Sequence, residues 1–262
     1  MVKIWFSKNI TMYIPFFNWF SGFMVCFACS TAFADDVQVA IAANFTAPMR
    51  LIATAFEKET GHRALLSFGA TGRFYAQISN GAPFDVFLAA DDHTPSRLEK
   101  EGMAVKGSSF TYATGKLVLW SAQPNVVDTQ GEVLKTGNFK KLAIAAPKLA
   151  PYGAAALETI TKLGLLSRLQ PRLVTGESVG QTYSFVATGN AELGFIALSQ
   201  VYENGQIKSG SAWVVPETLY RPIRQNAVLL SKGTGNQAAI MLLAFLKTDN
   251  ARTVIRSFGY TP

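Results

Sequence analysis

Cysteine is nearly absent. Of 262 residues only Cys26 and Cys29 are cysteines, and both lie within the first 34. A chain that loses this segment has no thiol, which excludes a disulfide framework, a thiolate metal cluster and a cysteine nucleophile. Histidine is as scarce, with His62 and His93 alone. A zinc site would need both of them plus carboxylates. His62 follows the helix stop Gly61 and His93 sits in a polar turn, so both read as surface residues. Charged residues make up 16% and do not come in blocks. The longest basic run, Lys140-Lys141, is too short for a nucleic-acid stripe despite a net charge of +7. Neither a Walker A sequence nor a Gly-x-Gly-x-x-Gly fingerprint occurs. A secreted hydrolase would have to use a Ser or Asp working with His93.

Hydrophobic residues, in contrast, make up 49%, enough for a sizeable core. Residues 1–34 differ from the rest. Lys3 and Lys8 are the only charges before Asp35, and an apolar stretch rich in Phe, Trp and Met runs from Ile14 to Ala28. Ala32-Phe33-Ala34 then fits the small-x-small pattern of a signal-peptidase site, with cleavage before Asp35. Neither cysteine has lipoprotein surroundings. The reading is a cleaved signal peptide over 1–34 and a periplasmic mature chain. No later segment reaches the roughly 18 apolar residues of a membrane span.

The remaining sequence alternates strand and helix patterns. Val37–Ala43 predicts a strand, Thr46–Thr60 a helix with Met49, Ile52 and Phe56 on one face, and Gly61 its stop. Arg63–Ser67 and Phe84–Ala90 predict strands, with a helix over Gly72–Asn80 between them. Thr94-Pro95 predicts an N-cap and first helical residue. A second set begins at Lys116–Ser121 and includes strands at Leu142–Ala146, Arg172–Thr175 and Leu193–Ala197. Helices are predicted over Gly153–Leu163 and Val179–Thr188, a short helix over Ser199–Glu203, and a late strand over Ala227–Leu230. The pattern implies α/β lobes built on mainly parallel, doubly wound sheets. The assignment is 35–113 plus 223–262 for lobe 1 and 114–222 for lobe 2, with two chain crossings acting as a hinge. Asp85, Asp91 and Asp92 read as helix caps or loop residues rather than paired acids.

Ligands of open α/β sheets bind beyond the carboxyl ends of the strands. Four strand-to-helix junctions there are small, polar or glycine-containing: Ala43-Asn44-Phe45-Thr46, Gly69-Ala70-Thr71-Gly72, Pro151-Tyr152-Gly153 and Glu177-Ser178-Val179-Gly180. A helix start presents unpaired N–H groups and partial positive charge. Several starts brought together would bind an anion without Lys or Arg.

The stretches Ala40-Ile41-Ala42-Ala43-Asn44-Phe45, Ser67-Phe68-Gly69-Ala70-Thr71-Gly72, Gly81-Ala82-Pro83-Phe84-Asp85-Val86-Phe87-Leu88-Ala89-Ala90-Asp91 and Leu193-Gly194-Phe195-Ile196-Ala197 resemble those of periplasmic molybdate-binding proteins of ABC importers. Lys247-Thr248-Asp249 and Arg256-Ser257-Phe258-Gly259-Tyr260 are similar too, so the resemblance runs from Val37 to Tyr260. It implies a two-lobed periplasmic-binding-protein fold of type II, two doubly wound sheets joined by a two-strand hinge. It further implies capture of molybdate or tungstate between the lobes. Carried over by position, it points to Ala43, Asn44, Thr71, Tyr152 and Val179, the last through its backbone N–H. These would hold the molybdate oxyanion through its oxygens, with no direct metal-cation ligands. The sequence departs from many members at Asn44, where they have Ser, and at Ala197, where they have a ligand Tyr. Tyr152 would supply the missing phenol.

The resemblance implies no cofactor and no enzymatic activity. It implies a monomer that docks on a membrane permease with a separate ATPase, and no nucleic-acid partner. The alternatives are a binder of another oxyanion such as sulfate, or the hydrolase above. The chemistry agrees with a site for a fully deprotonated anion. Such an anion needs only donors, whereas phosphate keeps a proton and benefits from a carboxylate acceptor. None of the four junctions places Asp or Glu at its helix start.

Overall fold

The computed structural model describes residues 35–261. The predicted signal peptide lies outside the described residues. From Asp35 the chain forms β1 (Asp36–Ala42), a 3-10 turn at Ala43–Phe45, α1 (Thr46–Thr60), β2 (Arg63–Gly69), α2 (Thr71–Ser79), β3 (Val86–Leu88), α3 (His93–Lys100) and β4 (Phe110–Gly115). Helix α1 buries Met49, Ile52 and Phe56, and ends at Gly61 in the left-handed conformation, φ 77°. Next come β5 (Leu117–Ser121), α4 (Val133–Thr136), β6 (Leu142–Ala145), α5 (Pro151–Lys162), α6 (Leu166–Leu169), β7 (Leu173–Gly176), α7 (Val179–Ala187) and β8 (Leu193–Ala197). A small hairpin of β9 (Tyr202–Glu203) and β10 (Gln206–Ile207) precedes β11 (Ser211–Val214). The chain closes with β12 (Ile223–Leu229), α8 (Gln237–Phe245) and α9 (Asp249–Ser257).

Two five-stranded sheets result, ordered β2-β1-β3-β12-β4 and β7-β6-β8-β5-β11. Their plans match: three parallel strands from β-α-β units, then one strand running the other way (β12 or β5) and an edge strand (β4 or β11) antiparallel to it. In the first sheet β1 pairs parallel with β2 (Val39 opposite Leu66) and with β3, and β12 pairs antiparallel with β3 and β4. In the second, β6 pairs parallel with β7 and β8, while β5 is antiparallel to β8 and β11. Four of the five strands in each sheet thus point one way, as expected of mainly parallel, doubly wound sheets, although half of the pairings are antiparallel. The antiparallel half comes from β4, β5, β11 and β12, which flank the two passages between sheets and lack the crossover helix that parallel pairing needs. The passages are short, from Gly115 to Leu117 and from Val214 to Ile223.

Each sheet has its own core. Val37, Val39, Ile41, Phe45, Met49, Ile52 and Phe56 pack with α8 and α9 on the first, and Leu117, Leu119, Leu142, Ile144, Ile160 and Phe195 with α5 and α7 on the second. Strand β4 was not anticipated, and the second passage enters its strand at Ile223, four residues before the predicted Ala227. The short helix predicted at Ser199–Glu203 is a 3-10 turn at Leu198–Gln200 followed by β9. His62 is buried rather than on the surface. Its Nδ1 accepts from the Asp35 N–H at 3.0 Å and its ring stacks on Phe56. Helix α3 begins at His93, and Asp91 rather than Thr94 accepts at its start, from the Thr94 N–H at 2.7 Å. Asp85 instead ties β1 to β3, accepting from the Gln38 N–H at 2.7 Å.

Candidate functional site

The four junctions lie at the carboxyl ends of β1, β2, β6 and β7, where the two sheets face each other. Helix α2 is preceded by Ala70 and α5 by Ala150, both extended and both without a side-chain cap. An alanine cannot accept from the first-turn N–H groups, and replacing a polar cap by alanine costs about 1 kcal/mol. By contrast α8 and α9 carry side-chain caps, Asn236 accepting from Ala239 and Thr248 from Ala251. Ser178 caps α7, but toward Gln181. The N–H groups of Thr71, Tyr152 and Val179 thus stand in first turns with no hydrogen-bond partner among the described residues.

Side chains complete the site. Asn44, Thr71, Tyr152 and Val179 are 2%, 2%, 1% and 4% exposed. Asn44 Nδ2 donates to Gln225 Oε1 at 2.7 Å and to the Tyr260 hydroxyl at 2.8 Å. The Asn44 carbonyl accepts from Ser199 Oγ at 2.8 Å and from the Tyr260 hydroxyl at 2.9 Å. Gln225 Nε2 donates to the Tyr152 hydroxyl at 3.1 Å, joining Asn44 of the first sheet's end to Tyr152 of the second. Tyr112 donates to Gln225 Oε1 at 3.1 Å. Ala43 faces Gly180, beside Val179: a Cβ on Gly180 would stand 3.2 Å from the Ala43 methyl. Thr71 Oγ1 accepts from the Ala90 N–H at 3.0 Å. Thr71 and Gly72 also share a recess of about 560 Å³ with Leu149 and Pro151. The structure thus joins Asn44 to Tyr152 through Gln225 and sets Ala43 against the start of α7, while Thr71 stands by Ala90 in the recess with Leu149 and Pro151. It adds Gln225, Tyr260, Ser199 and Tyr112, which sequence reading had not assigned.

The two halves touch directly. Besides the Ser199–Asn44 and Gln225–Tyr152 bonds, the Gly72 N–H donates to the Leu149 carbonyl at 2.9 Å. Arg73 and Glu177 form an exposed ion pair across the opposite mouth, in a second recess of about 540 Å³. Ala197, where a ligand tyrosine was noted as missing, is fully buried; its N–H donates to Gln200 Oε1, and Gln200 Nε2 donates to the Val179 carbonyl. That bridge holds the start of α7 in place.

Electrostatically the centre is neutral. The buried polar side chains of the described residues are Asn, His, Thr, Ser and Gln, with no Lys, Arg, Asp or Glu among them. Burial raises the phenols of Tyr112 and Tyr152 well above the ordinary tyrosine range, and pushes Tyr260 up to about 12 against the bonds from Ser199 and Asn44. All three remain O–H groups at neutral pH. Burial also raises the Asp91 carboxyl, opposed by Thr94, whose N–H and hydroxyl engage its two oxygens. Among the described residues no group of three or more His, Cys, Asp or Glu could hold a metal ion. The arrangement can bind a small anion through dipoles, and has no nucleophile–base pair at its centre.

Comparisons with known proteins agree with this geometry. The family described as bacterial extracellular solute-binding protein matches residues 37–261. The molybdate-binding protein ModA of Azotobacter vinelandii is 60% identical over 240 residues, covering 92% of this chain and 94% of that one. ModA of Rhodobacter capsulatus is 53% identical over 229 residues, 87% and 89% of the two chains. The solved structure of the Azotobacter vinelandii periplasmic molybdate-binding protein superposes with a TM-score of 0.84 at 43% identity, over 86% of this chain and 99% of that one.

Proposed function

Since the chain belongs to the bacterial extracellular solute-binding protein family, and within it to the ModA proteins, we propose that it captures molybdate, and tungstate, between its two lobes and delivers it to an ABC importer. It is a substrate-binding protein and not an enzyme. The observation that carries the ligand assignment is the set of uncapped, buried helix starts from both sheets around Asn44 and Tyr152, with no fully buried charge among them and the Asp91 carboxyl engaged by Thr94. A tetrahedral dianion accepts at every oxygen. Hydrogen bonds to a charged group contribute about 1.5–3 kcal/mol each, so a handful of preorganised donors reaches micromolar affinity or better, about −8 kcal/mol. Because both lobes supply donors, the anion favours the closed form over any open one by the contacts that opening would break. The permease and its separate ATPase would then read the closed shape.

Hydrogen phosphate has a proton to place, and the nearest carboxylate, Asp91, already serves Thr94. Phosphate is therefore disfavoured on chemistry, whereas sulfate, fully deprotonated too, differs from molybdate in size. Calorimetric titration of the purified protein with molybdate, tungstate, sulfate and phosphate tests the assignment. Saturable one-to-one binding of molybdate and tungstate, with sulfate and phosphate at least tenfold weaker, is expected. Sulfate binding tighter than molybdate, or no heat with molybdate, overturns it.

A further inference from the structure

Gln225 is fully buried on β12 and touches both Asn44 and Tyr152, yet stands in none of the four junctions. In the arrangement described above, Asn44 Oδ1 is buried and has no partner among the described residues. An orphaned acceptor costs about 1–3 kcal/mol, and an acceptor is the wrong group to offer a deprotonated anion. The oxygen and nitrogen of a side-chain amide have nearly the same shape, so their placement follows from the hydrogen-bond network. Turning Asn44 alone fails, because its oxygen would then face Gln225 Oε1 at 2.7 Å with no proton between them.

Turning both amides together succeeds. Gln225 Nε2 then donates to Asn44 Oδ1 and to the Tyr112 hydroxyl, whose own proton turns to the Ala89 carbonyl. Gln225 Oε1 accepts from the Tyr152 hydroxyl, and Asn44 Oδ1 from Tyr260 as well. Every other group keeps a partner, and the orphan position is taken by Asn44 Nδ2 with two unpaired protons, so this state is favoured once an anion accepts there. The two amides are thus one coupled switch with two states. One offers an acceptor at Asn44 and leaves the Tyr152 proton free. The other offers two donors at Asn44 and engages the Tyr152 proton.

We propose that Gln225 is a positioning residue of the oxyanion site, and that a fully deprotonated tetrahedral oxyanion selects the state in which Asn44 Nδ2 faces it. This rests on the oxyanion reading above. Gln225 then acts as a selectivity element: by bonding Asn44 Oδ1 it withholds the acceptor that a hydrogen phosphate or hydrogen arsenate would need.

The test is calorimetry with molybdate and hydrogen arsenate on the wild type, Gln225→Met, Asn44→Ala and the double variant. Gln225→Met is expected to weaken molybdate at least tenfold and arsenate less than threefold, since an unheld Asn44 amide can turn its oxygen to the arsenate proton. In the Asn44→Ala background the same change is expected to cost molybdate less than twofold. Equal losses in both backgrounds, or wild-type affinity and selectivity in Gln225→Met, overturn the role of Gln225. A wild type that binds no molybdate overturns the functional reading instead. A second measurement needs no variant. In the molybdate-loaded wild type, nuclear Overhauser contacts from the Gln225 amide protons are expected to reach the Tyr112 ring and not the Tyr152 ring. The reverse pattern refutes the paired turn.

Discussion

Gly115 ends β4 at the first passage between the sheets, opposite Ile223, and has ordinary negative φ, so alanine imposes no backbone strain there. The demand for glycine is spatial. A Cβ would overlap the Tyr152 hydroxyl and stand 2.5 Å from Gln225 Nε2 and 3.0 Å from Tyr152 Cζ. Carbon needs about 3.5 Å from such atoms, so the Gln225 amide must retreat by about 1 Å and the phenol by more. Both are buried, and both hold Asn44 or Tyr152 in place. Overpacking of this kind costs about 1–3 kcal/mol, or about 2–4 °C of melting temperature per kcal/mol at this size. Gly115→Ala is therefore expected to melt several degrees lower without ligand and to bind molybdate at least tenfold more weakly, a loss of about 1.4 kcal/mol or more. Adding Tyr152→Phe removes the worst overlap and should recover part of the melting temperature while leaving affinity low. Calorimetry and thermal unfolding of the three proteins decide the matter. Gly115→Ala with wild-type affinity and melting temperature would refute the assignment of this space to the site.

Tyr152→Phe alone is expected to weaken molybdate binding about tenfold, since the hydroxyl and its bond to Gln225 go, while ligand-free melting changes by less than the loss in binding energy; unchanged affinity in a titration contradicts it. Ala150→Ser supplies the cap that α5 lacks, so it should raise ligand-free stability by about 1 kcal/mol while lowering molybdate affinity, because the new hydroxyl competes for first-turn N–H groups. Urea midpoints and calorimetry check the opposed signs. Alkaline unfolding gives a third check. Tyr260 keeps its proton up to about 12, above the ordinary value of 10.0. The unfolded chain loses that proton first, so this stability is complete below pH 10 and is lost as pH rises toward 12. Tyr260→Phe should flatten that decline in denaturation midpoints measured from pH 8 to 11.

The parallel half of each sheet was legible because βαβ units write their strand, glycine and helix periods locally, as in Val37–Gly61. The antiparallel half was not. Strand β4 carries Thr111, Tyr112 and Thr114 among small residues, and its pairing with β12 joins positions more than a hundred residues apart. The junction residues could be picked out because a helix start is a local feature. Gln225 was missed although its alternation was available: Ile223, Gln225 and Ala227 are buried along the first part of β12, with Arg224 exposed and Asn226 half-buried between them. A glutamine on the buried parity of a strand is a signal of a polar network. Reading it required starting the strand at Ile223 rather than Ala227. Tyr260 and Ser199 had no such signal, since each reaches Asn44 only through the tertiary fold.

The same features explain why the site needs no cation. A buried lysine or arginine would have to be desolvated and, without its ligand, would stand as an unpaired charge costing several kcal/mol. Uncapped helix starts carry a smaller penalty, about 1 kcal/mol each for Ala70 and Ala150. The Asn44–Gln225–Tyr260 cluster keeps its own bonds in the meantime. A binding protein that must also release its cargo gains from that difference. In the proposed site, neutral dipoles would bind the anion strongly only when both lobes present them together. Opening by rotation at the passages beside Gly115 and Ile223 would separate Asn44 and Thr71 from Tyr152 and Val179, and so remove half of the donors at once.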